Sequence, residues 1–290
     1  MAVATIDVAP LSGAFGNRTL GAEIHGLDLT RPLDAATEQA LRDAWTEHLV
    51  LVIRDQRDLS VEDQRRFCRI FGALGDRTRP KETRQEGSDA PEGVMYVSNL
   101  KKDGKFIGSL PDGEMHFHID QCYTASPATG TCLYAIEIPP EGGDTLFTNL
   151  YTAWERLPPD LRNELASRKA MHYFDYGTTR NTGISDEQRA TLPHYAHPVG
   201  RVHPLSHRTA LYVCRLMTDH IDGLSERDSR NVLDVLFDAV ENPDYRYTHK
   251  WRVGDLLLWD NRCTAHARTD FDPNQRRHLR RFTIQGEQPV

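Results

Sequence analysis

The spacing of apolar residues predicts two helices near the N-terminus. Asp34 is a suitable N-cap for a helix that runs to about Glu47. The residues that recur at helical spacing on its inner side are Leu41, Ala44, Trp45 and His48. A second helix begins at Ser60 with a capping-box pattern, because Asp63 stands three residues later. Its predicted buried side consists of Phe67, Ile70 and Phe71.

Short apolar or alternating runs, bounded by turn residues, predict strands along the rest of the chain. The predicted strands are 19–29 (with a glycine turn), 49–53, 95–99, 117–122, 131–138, 145–149, 170–176, 197–203, 210–214, 245–251, 255–259 and 279–285. Strands spaced at roughly 10–20 residues, with a few helices between them, favour a β-sandwich or jelly roll over an alternating βα fold.

Two helical insertions and one long loop interrupt this strand pattern. The first insertion covers about 151–168, with Pro158 and Pro159 marking a break between two pieces. The second covers about 225–242, from an N-cap at Ser225 to Pro243. The charged, Pro- and Gly-containing stretch 72–93 predicts a mobile surface loop. Since no linker or internal repeat divides the chain, we expect one domain over 1–290, mainly β with peripheral helices.

Composition excludes several classes of protein. The 290 residues carry a net charge of −7 and no Lys/Arg block, which argues against a nucleic-acid partner. No apolar run approaches the roughly 18 residues that a membrane span needs, and residues 1–10 do not resemble a secretory signal. The five cysteines are scattered without a C-x-x-C motif. A disulfide framework and a zinc-thiolate site are therefore not expected, and the cytoplasm is the expected compartment.

The clearest candidate for chemistry is the pair His118 and Asp120. Side chains two positions apart on an extended segment point the same way, so this pair can direct an imidazole and a carboxylate at one metal ion. With 13 His and 42 acidic residues in the chain, a His-x-acid pair should occur by chance about twice. The other example, His220 and Asp222, precedes a glycine and a helix cap and is interpreted as coincidental. His266, after a hydrophobic strand and a polar turn, can supply a distant third ligand.

Two arginines near the C-terminus predict an anion site. Alternation along a strand places Arg277 and Arg281 on one face, and Arg276 and Arg280 on the other, towards solvent. Inward arginines need anionic partners, and a guanidinium suits a carboxylate. Thr145, which follows a glycine turn, could donate a hydrogen bond to the same carboxylate.

These features occur together in the order and spacing of one family. The chain resembles the Fe(II)/2-oxoglutarate dioxygenases typified by taurine dioxygenase and 2,4-dichlorophenoxyacetate dioxygenase. The resemblance extends over nearly the whole chain. The segments that carry it are LGAEIHGLDL, LVLVIRDQ, the His-x-Asp segment, PPEGGDTLFTN, WRVGDLLLWDNRCTAH and QRRHLRRFTIQG.

The resemblance implies a double-stranded β-helix, a form of jelly roll, and assigns a role to each candidate. It implies that Fe(II) binds to His118, Asp120 and His266, and that 2-oxoglutarate binds to Thr145, Arg277 and Arg281. The implied products of the cosubstrate are succinate and CO₂, with O₂ consumed. The residues implied to lie near the substrate are Arg281, Glu114, Tyr123, Tyr212 and Arg77. The family also implies a homodimer or homotetramer.

Two departures from taurine dioxygenase concern the substrate. Glu114 stands where that enzyme has an asparagine, and Arg77 stands near its substrate histidine. Both departures change polarity, which argues against taurine as the substrate. Arg281 predicts instead another small molecule that bears an anionic group. Two other classes remain open at this level: a zinc hydrolase on the same ligands with Glu114 as general base, and a non-catalytic barrel that binds a small anion.

Overall fold

The computed structural model describes residues 6–11, 20–75, 90–110, 113–174 and 184–289. Its helices are α1 (Ala35–His48), α2 (Val61–Arg69), α3 (Leu150–Arg156), α4 (Pro159–Leu165), α5 (Asp186–Thr191) and α6 (Glu226–Val240). Its strands are β1 (Asp7–Pro10), β2 (Ala22–His25), β3 (Val50–Ile53), β4 (Met95–Ser98), β5 (Lys101–Lys102), β6 (Lys105–Phe106), β7 (Met115–His118), β8 (Gly130–Glu137), β9 (Thr145–Asn149), β10 (Lys169–Tyr173), β11 (His194–Pro198), β12 (Gly200–Val202), β13 (Thr209–Leu211), β14 (Thr218–Ile221), β15 (Arg246–His249), β16 (Leu256–Asp260), β17 (Thr264–Arg268) and β18 (His278–Ile284).

Two sheets form the centre of the molecule. The larger has seven strands in the order β1-β2-β3-β16-β8-β18-β4, and the smaller has the order β15-β9-β17-β7. Pairing within both is antiparallel, except between β2 and β3. Residues of both sheets line one cavity, so the sheets face each other across it. This is the jelly-roll arrangement that the sequence predicts, mainly β with peripheral helices.

Alternation along the central strands explains their continuous apolar runs. In β16, Leu257 and Trp259 point to the core between the sheets, whereas Leu256 and Leu258 point to a second core on the outer face. Strands β3 and β8 follow the same division. A strand buried on both faces has no polar side to show, which is why its run is continuous rather than alternating.

The outer core lies under α1 and α2, whose starts agree with the predicted caps. Asp34 accepts a hydrogen bond from the backbone N–H of Thr37, at 2.7 Å. Ser60 and Asp63 form both hydrogen bonds of the capping box. The apolar sides of the two helices, with Leu41, Trp45 and Phe67 fully buried, pack on the larger sheet.

Several predicted boundaries need correction. Strand β7 ends at His118, so Asp120 lies in the turn that follows and not within a strand 117–122. The predicted strand 197–203 is two strands, β11 and β12. Strands β1, β5, β6, β14 and β17 and helix α5 have no counterpart in the sequence-based assignment. Helices α3 and α4 lie within the range 151–168, apart from Leu150 at the start of α3, and α6 lies within the range 225–242.

Arg280 is the one arginine of the C-terminal strand that the alternation argument misplaces. It does point away from Arg281, but that side is covered by α2 and not by solvent, and Arg280 is 6% exposed. It donates to Gln64 Oε1 at 2.6 Å and to the backbone oxygens of Leu59 and Ser60.

Of the predicted loop 72–93, residues 76–89 lie outside the described part of the chain. Among the described helices, none has the length and hydropathy to cross a membrane.

Candidate active site

The cavity between the two sheets, about 450 Å³ including the space at its open mouth, is lined by most of the residues predicted to carry chemistry. Its polar lining consists of His118, Thr145, His266, Arg268, Arg277 and Arg281. Its apolar lining consists of Val97, Leu110, Met115, Leu133, Trp259 and Ala267. One wall is therefore cationic, and the rest is a mixed aliphatic and aromatic surface.

The two histidines meet because their strands are neighbours. His118 on β7 and His266 on β17 are direct partners in the antiparallel register, and their ring centroids lie 4.0 Å apart. The Nε2 atoms of His118 and His266 lie 3.8 Å and 3.9 Å from carboxylate oxygens of Asp120. One ligand atom from each of the three residues therefore falls within 4.8 Å of the others. Two imidazoles and one carboxylate are the donor set of non-haem iron oxygenases.

Hydrogen bonds orient both partners of the predicted His-x-Asp pair. Nδ1 of His118 lies 3.0 Å from the carbonyl oxygen of His116, which can only accept, so Nδ1 carries the proton and Nε2 keeps its lone pair. Oδ2 of Asp120 accepts from the hydroxyl of Thr131 at 2.6 Å and from Nη2 of Arg281 at 2.9 Å. These contacts prepare a neutral imidazole and an anionic carboxylate for a cation.

The ionisation of the site follows from burial and charge. Asp120 is buried, which raises its pKa, but Arg281 and the two histidines outweigh burial and hold the pKa of the carboxyl well below its usual value. Burial, with the nearby His118, lowers the pKa of His266. His266 is thus neutral and the Asp120 carboxyl ionised, as metal binding requires.

Arg277 is a buried cation that lacks a carboxylate in the described part of the chain. It is 2% exposed, donates from Nη2 to the backbone oxygen of Gly143 at 3.1 Å, and has no hydrogen-bond partner there for Nε. Burial and the charge of Arg268 lower its pKa to about 9, which still leaves it charged at neutral pH. A bound carboxylate would offset this desolvation.

Thr145 has a hydroxyl hydrogen available for the same carboxylate. The indole N–H of Trp251 donates to Thr145 Oγ1 at 3.0 Å. An indole nitrogen is only a donor, so the threonine oxygen accepts in that contact and its own O–H can point into the cavity. Arg277 and Thr145 therefore fit a dicarboxylate such as 2-oxoglutarate, and the histidine–carboxylate group fits iron.

The residues predicted to lie near the substrate are not all brought to this cavity. Arg281 lines it, and its buried Nε has no partner among the described residues. Glu114 stands just before the lining residue Met115, but its side chain is 62% exposed. Tyr123 packs against Phe174, with ring centroids 4.6 Å apart. Tyr212 is fully buried beside Arg201, and Arg77 lies outside the described residues.

Arg268 is the polar lining residue that the sequence-based interpretation missed. It stands two positions after His266 on β17, so strand alternation places both on one face. It donates to the backbone oxygens of Leu110, which lines the cavity, and of Gly113. The sequence does carry this signal, but the signal is readable only once β17 is known to be a strand.

Comparison with known proteins agrees with this geometry. The model of the family described as "Taurine catabolism dioxygenase TauD, TfdA family" matches residues 7–283. The chain belongs to the TauD/TfdA family. A pentalenolactone F synthase of Streptomyces arenae is 33% identical, covering 98% of this chain and 97% of that protein. A 2,4-dichlorophenoxyacetate dioxygenase of Cupriavidus pinatubonensis is 32% identical, covering 90% of this chain and 93% of that protein. A sulfate ester dioxygenase of Pseudomonas putida is 31% identical, covering 98% of this chain and 91% of that protein.

Solved structures show the same relationship. The crystal structure of a taurine dioxygenase from Burkholderia xenovorans superposes with a TM-score of 0.79 at 32% identity, covering 98% of this chain and 91% of that one. Members of the TauD/TfdA family are dioxygenases that use Fe(II), 2-oxoglutarate and O₂, and this chain has the matching histidine–carboxylate group. The zinc hydrolase and the non-catalytic barrel are therefore set aside.

Proposed function

We propose that this TauD/TfdA dioxygenase oxidises a small anionic organic substrate at the cavity between the two sheets. The observation that carries the proposal is the group of His118, Asp120 and His266, which opens onto a cavity lined by Arg277 and Arg281. In this proposal the three residues bind Fe(II), and Thr145 and Arg277 hold the distal carboxylate of 2-oxoglutarate, with Arg281 beside them.

Each protein group has a defined task in that reaction. The bound iron and 2-oxoglutarate supply the oxidising chemistry, with O₂ consumed and succinate and CO₂ released. Thr131 and Arg281 hold the Asp120 carboxylate in place from one side. Arg277 and Thr145 fix the cosubstrate at the end remote from the metal. The apolar walls exclude water and leave room for an organic body next to the metal.

The proposed substrate carries an anionic group and an apolar body. The cationic wall suits a carboxylate, sulfonate or sulfate, and Val97, Leu110, Met115 and Leu133 suit hydrocarbon. Two relatives are named for anionic substrates, a phenoxyacetate and a sulfate ester. We propose hydroxylation as the outcome, followed by C–O or C–S cleavage where the hydroxylated carbon bears the heteroatom. Glu114, Tyr123, Tyr212 and Arg77 remain candidates for tuning this specificity.

The remaining proposals concern the whole chain. We propose that residues 1–290 form one domain, that it works in the cytoplasm as a homodimer or homotetramer, and that neither nucleic acid nor membrane is its partner. A net charge of −7 and five free cysteines are consistent with these assignments. Sedimentation of the purified protein measures the oligomeric state directly.

Anaerobic titration with Fe(II) and 2-oxoglutarate tests the proposed site. The ternary complex should show the weak visible charge-transfer band of an iron-bound 2-oxo acid. His118→Ala should lose the band through loss of iron, and Arg277→Ala should require much more 2-oxoglutarate. Arg276→Ala is the matched control, because Arg276 is exposed and pairs with Glu137 outside the cavity. Folded, iron-loaded protein that shows no band at saturating 2-oxoglutarate would contradict the proposal. Succinate release then allows a screen of anionic substrates.

A further inference from the structure

A second group of metal-binding side chains lies outside the cavity. Cys122, His172 and Cys214 are fully buried, and one ligand atom from each falls within 4.8 Å of the others. They come from three separate segments: the turn after Asp120, strand β10, and the residues after β13. None of these three residues lines the cavity between the sheets.

The sulfur atoms have the separation that a shared ion requires. The Sγ atoms of Cys122 and Cys214 are 4.0 Å apart. Two thiolates on one tetrahedral ion, with metal–sulfur bonds of about 2.3 Å, lie about 3.8 Å from each other. The thioether sulfur of Met217 is 3.6 Å from Cys122 Sγ, so a fourth soft donor is already in place.

The imidazole of His172 has a nitrogen that the protein leaves unused. Its Nδ1 lies 3.0 Å from Thr218 Oγ1, which accepts a backbone hydrogen bond from Cys214 and can donate to the sulfur of that residue. If Nδ1 donates to Thr218 Oγ1, that oxygen accepts two hydrogen bonds, from Nδ1 and from the Cys214 N–H, and its own O–H can donate to the sulfur. The other ring nitrogen, Nε2, then keeps its lone pair. Nε2 is buried and has no partner among the described residues. A hydrogen bond to the protein on one nitrogen and a free lone pair on the other are typical of a metal-binding histidine.

A buried cation lies behind the ring of Tyr212, which contacts this group, and would offset part of the negative charge that the group acquires with a metal. Arg201 is 1% exposed, and its Nε and Nη1 have no partner within the described ranges. It lies 4.8 Å over the ring of Tyr212, which in turn contacts the ring of His172. Two thiolates around a monovalent ion carry a net charge of −1, which offsets the unpaired guanidinium.

We propose that Cys122, Cys214 and His172, with Met217, form a second metal site for a thiophilic d¹⁰ cation. Two thiolates and a thioether are soft donors, and an imidazole also suits copper, which favours Cu(I) over Zn(II). Binding displaces one proton from each thiol and does not change the oxidation state of the ion. The ion would join the segment after the Asp120 carboxylate to strand β10 and the start of β14, so it would stiffen one wall of the iron site.

Titration with Cu(I) under anaerobic, reducing conditions tests this site. Wild-type protein should withdraw one Cu(I) per chain from a chromophoric Cu(I) chelator. Cys122→Ala and Cys214→Ala should each weaken binding at least about 100-fold, and Met217→Leu about 10-fold. Far-ultraviolet circular dichroism checks that each variant is folded. Because wild-type binding is itself measured, failure of a variant to fold does not remove the test.

Two control variants show whether Cu(I) binds at these residues or at another part of the chain. Cys68 and Cys132 form another buried thiol pair in hydrogen-bond contact, and no histidine completes a metal-binding group with them in the described ranges. Cys68→Ala should therefore bind Cu(I) as the wild type does. His118→Ala, which removes an iron ligand, should also leave Cu(I) binding unchanged.

Three results would count against the second site. No Cu(I) uptake by reduced wild-type protein would overturn the proposal. Uptake that persists when Cys122→Ala and Cys214→Ala are combined would also overturn it. Tighter binding of Zn(II) than of Cu(I), with no effect of Met217→Leu, would overturn the preference for copper.

Discussion

At the scale of the residue, the site depends on a chain of hydrogen bonds that ends at Asp120. The indole of Trp259 donates to Asn261, the amide of Asn261 donates to Thr131, and the hydroxyl of Thr131 donates to the carboxylate. The direction of these hydrogen bonds is fixed at the first one, because an indole N–H can only donate. The orientation of the carboxylate is therefore set by residues that never touch the metal.

Thr131→Val tests this positioning role. Valine has nearly the same shape but cannot donate to Asp120, so we expect the dissociation constant for Fe(II) or Mn(II) to rise about 10- to 100-fold. Equilibrium titration of the apoprotein with Mn(II) measures it. Thr148→Val is the matched control, because Thr148 is equally buried and its hydroxyl has no partner in the described part of the chain. Equal affinities in the two variants would refute the role assigned to Thr131.

At the scale of the element, the turn between β16 and β17 depends on the buried carboxylate of Asp260. It accepts from Arg262 Nε at 2.8 Å and lies 3.1 Å from His203 Nε2. Nδ1 of His203 accepts two backbone N–H groups, so the ring is neutral and Nε2 donates. This network holds the turn from which β17 delivers His266 and Arg268.

Asp260→Asn should be strongly destabilising and the loss should depend on pH. The substitution leaves Arg262 buried without its anion, which costs about 3 kcal/mol or more of unfolding free energy at neutral pH. Although burial raises the pKa of Asp260, the charge of Arg262 outweighs it and the net pKa is depressed. The carboxylate therefore stabilises the fold above its unfolded pKa of about 3.9, and this contribution declines as pH falls below about 4. Urea unfolding at several pH values should show the difference from wild type shrinking under acid conditions. Asp272→Asn, at an exposed turn, should show no comparable loss.

Helix α2 is attached to the larger sheet by Arg280, the residue whose burial the alternation argument does not predict. Arg280→Met removes three hydrogen bonds and takes away the donor to Gln64 Oε1 and to the backbone oxygen of Leu59, whereas the oxygen of Ser60 keeps the backbone N–H of Gln64. We expect a loss of about 3 kcal/mol in the free energy of unfolding, measured by chemical denaturation. Arg276→Met, on the same side of the chain but exposed, should unfold like the wild type. A similar midpoint for both variants would show that Arg280 does not hold the helix.

At the scale of the whole molecule, the residues proposed to bind the metal and the cosubstrate are divided between the two facing sheets. The smaller sheet supplies His118, His266 and Thr145, and the larger supplies Arg281 and Thr131. A ligand that contacts both groups must therefore join the sheets. The stability of the whole fold is then linked to the metal and the cosubstrate.

Thermal unfolding should report this linkage. With Mn(II) present, 2-oxoglutarate at 100 times its dissociation constant should add about 2.7 kcal/mol to the native state. For a chain of this size the melting temperature should rise by several degrees. The rise should be absent in Arg277→Ala and unchanged in Arg276→Ala. A cosubstrate effect that is the same in all three proteins would place 2-oxoglutarate elsewhere.

The sequence by itself determined those features that depend on residues a few positions apart. Helix caps at Asp34 and Ser60, the apolar strand 49–53 and the His118–Asp120 pair all follow from local periodicity and hydrogen-bonding capacity. The tertiary structure alone decided which distant segments meet. It paired His118 with His266 by strand register, turned Arg268 into the cavity and Arg280 under α2, and gathered Cys122, His172 and Cys214 from three segments. Register and sheet packing are set by contacts across the whole chain, which no short window of sequence contains.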